Sequence, residues 1–100
     1  MAKILIYSGT TEGRQLAKIL GNSGCYCKVC VATEYGKMVM PEHNQVEVST
    51  GRLEPQQMAE LVKNGDFDAV VDATHPFAVV VSENIRKSLE GTNIPYLRLA

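Results

Sequence analysis

The sequence predicts an α/β fold: a doubly wound parallel sheet of five strands with helices on both faces, three layers deep. Two observations predict it. Short apolar runs alternate with longer segments of helical period along the whole chain, the pattern of right-handed βαβ crossovers. The first of these runs breaks at a glycine turn and a helix follows at once. One hundred residues, with no linker and no internal repeat, make one domain over residues 1–100.

The first strand is Ile4-Leu5-Ile6-Tyr7, too short for a buried helix and rich in β-formers. It breaks at Ser8-Gly9, and a helix begins at Thr11. Leu16, Ala17, Ile19 and Leu20 supply its apolar face. Thr10 or Thr11 is the N-cap, and Glu12 puts negative charge in the first turn, as the helix dipole prefers. Strand, glycine turn and helix start together aim backbone N–H groups at one spot, an anion site. A dinucleotide fingerprint would read G-x-G-x-x-G. Here only Gly9 and Gly13 are present, spaced G-x-x-x-G. That spacing leaves two readings open: a nucleotide phosphate site, or a tight turn that needs Gly9 for its backbone and Gly13 for packing.

Gly21-Asn22-Ser23-Gly24 closes the helix. Cys25 to Ala32 is the second strand, apolar almost throughout, as for a sheet covered on both faces. Its three cysteines, Cys25, Cys27 and Cys30, have the spacing C-x-C-x-x-C, but a period of two sends Cys30 to the opposite face from the others. They read as strand residues, and no metal site is expected. The strand ends at Thr33-Glu34-Tyr35-Gly36. An acidic residue here holds the adenosine ribose in dinucleotide folds, so Glu34 is either that contact, which would favour NADH, or an exposed loop glutamate. Lys37 to Asn44 is a connection interrupted by Pro41, with room for a short helical turn, and His43 in it reads as solvated. Gln45 to Ser49 alternates as a third strand.

Thr50-Gly51-Arg52-Leu53 then leads to a helix that starts at Glu54-Pro55, where proline is tolerated. Met58, Leu61 and Val62 form its stripe, and Asn64-Gly65 ends it. Asp68 to Asp72 is the fourth strand. It runs into Thr74-His75-Pro76, which places a hydroxyl, an imidazole and a rigid turn at the carboxyl edge of the sheet, where ligands bind in open α/β folds. His75 is a ligand contact there, or else an imidazole bonded to nearby backbone. A helix from Phe77 to Glu90 carries Val80, Val81, Ile85 and Leu89, Gly91 closes it, and Ile94 to Leu99 is the fifth strand. The strand order 3-2-1-4-5 would bring the turns after strands one and four to one cleft.

Composition narrows the function. A net charge of -1, with no basic patch and no aromatic platform, argues against nucleic acid. Met1-Ala2-Lys3 runs straight into a strand with no signal peptide, and no apolar run reaches membrane-spanning length, so the reading is cytoplasmic with no membrane partner.

Taken together, the blocks are more specific than any one of them. I-L-I-Y-S-G-T-T-E-G-R (Ile4–Arg14), V-A-T-E-Y-G (Val31–Gly36), G-R-L (Gly51–Leu53), V-V-D-A-T-H-P-F-A (Val70–Ala78) and I-P-Y-L-R-L (Ile94–Leu99) resemble the precorrin-6A reductase family of cobalamin biosynthesis. Ser8 departs from it, the family more often having glycine there. The resemblance implies a Rossmann-like domain of an NADH- or NADPH-dependent oxidoreductase that adds hydride to precorrin-6A or its cobalt form, with a tetrapyrrole as its partner. Family members carry a second α/β domain, so this chain is expected to be the first of two, with a sheet edge through which copies can pair. On this reading Gly9, Thr10 and Gly13, with Ser8, Thr11 and Glu12 around them, cradle a cofactor phosphate. Arg14 and Arg52, the latter beside Gly51, neutralise a phosphate or a substrate carboxylate, or else form surface ion pairs. Thr74 and His75 line the nicotinamide or substrate side, and His75 is the candidate proton donor. Two other classes stay in view. One is a nucleotide-binding regulatory domain without chemistry. The other is a receiver- or flavodoxin-like module; a receiver needs an acidic cluster at strand one, which Ile6-Tyr7-Ser8 lacks, and a flavin would show as yellow colour on purification.

Overall fold

The computed structural model describes residues 1–40 and 42–99. Five strands, β1 (Lys3–Ser8), β2 (Tyr26–Val31), β3 (Val46–Thr50), β4 (Ala69–Ala73) and β5 (Tyr96–Arg98), form one sheet. All neighbouring pairs are parallel and the order is β3-β2-β1-β4-β5. The helices among the described residues are α1 (Thr11–Asn22), α2 (Glu34–Met38), α3 (Pro55–Gly65) and α4 (Val79–Ser88). The chain winds outward from β1 to β3, then crosses back to β4, which puts the switch point between β1 and β4.

That winding fixes two separate cores. Ile6, Cys27, Val29 and Val71 point to one face, where Ala17 of α1 and Met40 cover them. Leu5, Tyr7, Cys30 and Val70 point to the other, under Met58 and Val62 of α3 and Ile85 of α4. Cys27 and Cys30 therefore lie in different cores, as period two requires. Burial pushes both thiols up to about 11, Cys25 adding to the effect at Cys27.

The second face is not covered everywhere. α3 and α4 shield the middle of the sheet but leave Tyr26, Lys28, Glu47 and Ser49 half-buried or exposed on β2 and β3. There the side chains replace a core with a polar cluster: Tyr26 Oη and Lys28 Nζ both donate to the Glu47 carboxylate, and Lys28 also donates to Ser49 Oγ. The apolar look of the second strand thus overstated its cover.

Element limits differ from expectation where caps and neighbours decide. Ser8 stays in β1, because its backbone pairs with Ala73 on β4. Thr10 is the N-cap of α1, its Oγ1 accepting the N–H of Gly13 at 3.3 Å. The buried positions of α1 are Gly13, Ala17 and Gly21, spaced by four, and Ile19 points away from that row and is 60% exposed. The acidic segment after β2 is the helix α2, capped by Thr33 Oγ1 accepting from Gly36. The expected interruption at Pro41 lies outside the described residues. His43 is half-buried rather than solvated, its Nδ1 accepting from Gln45 N at 3.0 Å. α4 starts at Val79 instead of Phe77, leaving Phe77 and Val80 exposed.

One contact in α1 sets how closely helix and sheet approach. A Cβ built on Gly13 would lie 2.5 Å from Ser8 Oγ, 3.2 Å from Ser8 Cβ and 3.0 Å from Ala73 Cβ. Glycine here is a packing requirement. Gly13→Ala is expected to destabilise the fold by about 1–2 kcal/mol, the overpacking penalty exceeding alanine's helix-propensity gain. Urea unfolding measures this, and an unchanged midpoint would show that β1 and α1 separate freely.

Candidate functional site

The carboxyl edge of the sheet carries two open clefts that share Ser8, Gly9, Val31 and Ala32 as a common wall. The first, about 570 Å³, lies on the α1 side between the β1–α1 turn and α2. The second, about 600 Å³, lies on the α3 and α4 side. Both volumes suit small-molecule ligands.

The first cleft is built on the turn Ser8–Thr10. Ala73 at the end of β4 pins that turn: its carbonyl accepts Gly9 N at 3.0 Å and Thr10 Oγ1 at 3.0 Å. Thr10 Oγ1 also takes the Gly13 N–H, so the hydroxyl is fully committed. The backbone N–H groups of Thr10, Thr11 and Glu12 have no acceptor among the described residues. They sit at the positive end of a 12-residue helix, the arrangement that favours an anion. Arg14 bends back to the same spot, its guanidinium donating to Thr11 Oγ1 at 3.0 Å. Glu12 is exposed on the cleft wall and opposes an anion there, so Arg14 and Glu12 nearly balance.

Not every sequence candidate lines this cleft. Ser8, Gly9, Thr10, Thr11, Glu12, Arg14 and His75 do. Gly13 is buried behind the turn, and Glu34 lies exposed in the first turn of α2, outside both walls. Gly51, Arg52 and Thr74 line the second cleft instead. The turns after β1 and β4 do meet: an ideal Cβ on Gly9 would sit 3.5 Å from both His75 N and Thr74 Cα, an ordinary contact. Gly9 has no positive φ, so neither its conformation nor its packing demands glycine. His75 is exposed, and its Nδ1 accepts Phe77 N at 3.1 Å.

The family model described as "Precorrin-6x reductase CbiJ/CobK" matches residues 3–100. The chain belongs to that reductase family. It is 32% identical over 98 residues to a cobalt-precorrin-6A reductase of Synechocystis sp., covering 98% of this chain and 38% of that protein. It is 33% identical to a cobalt-precorrin-6A reductase of Priestia megaterium, covering 95% of this chain and 37% of that one. A solved structure described as "CobK precorrin-6A reductase" superposes with a TM-score of 0.81 at 26% identity, over 99% of this chain and 39% of the other. The chain thus spans a little over a third of the length of its reductase relatives.

Residues that the sequence did not single out hold this reductase domain's site in shape. Asp72 is fully buried. Its Oδ1 accepts Thr74 N at 3.1 Å, Thr74 Oγ1 at 2.7 Å and Arg98 NH1 at 3.2 Å, and its Oδ2 accepts Tyr96 Oη at 2.6 Å. Ser82 of α4 closes the group, 3.3 Å from Thr74 Oγ1. Burial works against the charge, but hydrogen bonds from Ser82, Tyr96 and Thr74 outweigh it and hold the carboxyl below the usual aspartate range. The available signal was a charged residue inside the apolar run A-V-V-D-A, which needs a partner when buried. Its partners come from β5 and α4, and only the folded sheet brings them near.

Asp72→Asn is expected to cost about 2–4 kcal/mol at neutral pH. Because the folded carboxyl titrates below its unfolded value, its stabilisation is complete above about pH 5 and fades as the pH falls through the folded value. The gap between wild type and variant should therefore close in acid, measured by urea unfolding from pH 7 down to pH 3. A gap that stays constant would assign the loss to packing alone.

Proposed function

We propose that this chain is the dinucleotide-binding domain of a reductase that transfers hydride from NADH or NADPH to precorrin-6A or cobalt-precorrin-6A in cobalamin biosynthesis. One observation carries the reading. Three backbone N–H groups without acceptors among the described residues, at the start of α1, line the first cleft beside the wall it shares with the second. The residues fit a dinucleotide. Thr10, Thr11 and Glu12 would donate to the pyrophosphate, and Arg14 would swing from Thr11 Oγ1 to add charge. Gly9 keeps the shared wall free of a side chain. The cleft toward α2 would take the adenosine half.

When bound, the nicotinamide supplies the hydride, and the chain's own residues place and shield. Thr74, locked by Asp72 and Ser82, gives the second cleft a rigid edge. Arg52 at its rim would meet a carboxylate of the acid-rich macrocycle. His75, the candidate proton donor, lines the first cleft and not the second, so it would reach a macrocycle in the second cleft only across the Gly9 wall. A second α/β domain, like the extra length of the relatives, would close over the macrocycle.

Thr11→Pro tests the phosphate contact without disturbing the fold. Proline is tolerated at the first helical position, and Thr10 already has the extended backbone that precedes proline. The substitution deletes one free N–H and the hydroxyl that accepts from Arg14, both part of the proposed phosphate site. Titration calorimetry is expected to show saturable NADH or NADPH binding in wild type and at least about tenfold weaker binding in the variant. Equal affinities would move the dinucleotide away from α1.

A further inference from the structure

The proposed phosphate site leaves Tyr7 unexplained. Its side chain lies on the α3/α4 face of the sheet, in register with Cys30 on β2 and Asp72 on β4. It is 4% exposed, and its hydroxyl has no hydrogen-bond partner among the described residues. A buried hydroxyl without a partner destabilises a fold by about 1–3 kcal/mol. Asp72 next to it gives no relief, since no hydrogen bond joins the two side chains. A phenylalanine would fill the same core volume without that cost. The hydroxyl is therefore the feature of Tyr7 that packing does not account for.

Tyr7 also lines the second cleft. That cleft has walls of Leu53, Met58, Val80 and Val81, with Arg52 as a cation at the rim. Such a lining suits a flat conjugated ring that carries peripheral carboxylates. We propose that Tyr7 is a ligand-contact residue of the second cleft, its hydroxyl donating to an acceptor on the edge of a tetrapyrrole. This rests on the reductase reading above. Burial first, and the charges of Cys30 and Asp72 after it, hold the phenol well above its ordinary pKa, so it stays a neutral donor. Tyr7 already lines that cleft, but its hydroxyl is buried, so contact requires the cleft floor to open.

The test is Tyr7→Phe in the 100-residue chain, with uroporphyrin as tetrapyrrole probe, followed by fluorescence, and NADPH followed by calorimetry. The expected result is a melting temperature unchanged or raised by about 2–5 °C, with uroporphyrin bound about fivefold to tenfold more weakly. NADPH affinity should fall much less than uroporphyrin affinity, because its phosphates would bind at the α1 start, on the opposite side of the sheet from the hydroxyl. Uroporphyrin affinity unchanged in the variant, or no saturable uroporphyrin binding by wild type, would overturn the proposal. A lowered melting temperature would overturn it too, by showing that the hydroxyl serves the fold. Tyr7-dependent uroporphyrin binding by a chain that ignores NADPH and NADH would sink the dinucleotide reading and leave this one standing.

Discussion

Asp72 is the constraint on which the carboxyl edge of the sheet depends. Removing a carboxylate from water costs several kcal/mol unless its oxygens are matched by donors. Here the donors come from separate parts of the chain. Thr74 lies in the turn after β4 and Tyr96 and Arg98 in β5, while Ser82 of α4 supports the group through Thr74 Oγ1. Arg98 also donates to the Asp72 carbonyl at 2.9 Å, so one guanidinium holds both the side chain and the backbone of that residue. A shift of any one partner leaves a buried charge short of a bond. The cost of that shift holds β5, α4 and the Thr74–His75 turn in one geometry.

The rigidity passes from β4 to β1 through a single carbonyl. Ala73, next to Asp72, accepts from both Gly9 N and Thr10 Oγ1. Thr10 uses the same oxygen to cap α1. The start of α1 is thus tied to the buried carboxylate by two consecutive residues of β4, and Gly13 lets the helix sit close enough for the tie to form. A phosphate site made of backbone N–H groups has no side chains to adjust, so its precision depends on such ties.

Much of the fold was legible in the sequence, because strand and helix periods are local. The five strands, the three long helices and the order β3-β2-β1-β4-β5 follow from apolar runs, turn residues and the handedness of crossovers. The short helix α2 was not, since five residues with no buried member give no periodic signal. Ile19 and Val80 were placed inward on hydrophobicity, but burial depends on what lies opposite, and nothing covers them. In the site, the turn Ser8–Arg14 and the residue His75 stood out because glycine and histidine mark themselves. Asp72, Tyr96, Arg98 and Tyr7 did not, because their significance lies in pairings across strands far apart in the chain.

The sheet's winding also explains why two clefts share one wall. β1 is central and its C-terminal turn is the point where the chain's two halves diverge, α1 and α2 on one face, α3 and α4 on the other. Each face leaves a hollow at the carboxyl edge beside that turn, and Ser8–Gly9 is what remains between them. The two hollows differ in character for a physical reason. The one on the α1 side is bounded by a helix start and so presents N–H groups to an anion. The one on the α3 and α4 side is bounded by the sides of helices and so presents Met58, Val80 and Val81. A ligand with a charged phosphate end and a planar ring end can satisfy both only by crossing the edge at Gly9, the one wall position without a side chain. Gly9 has no positive φ, and a Cβ there would make only ordinary contacts with His75 and Thr74, so the turn itself does not demand glycine.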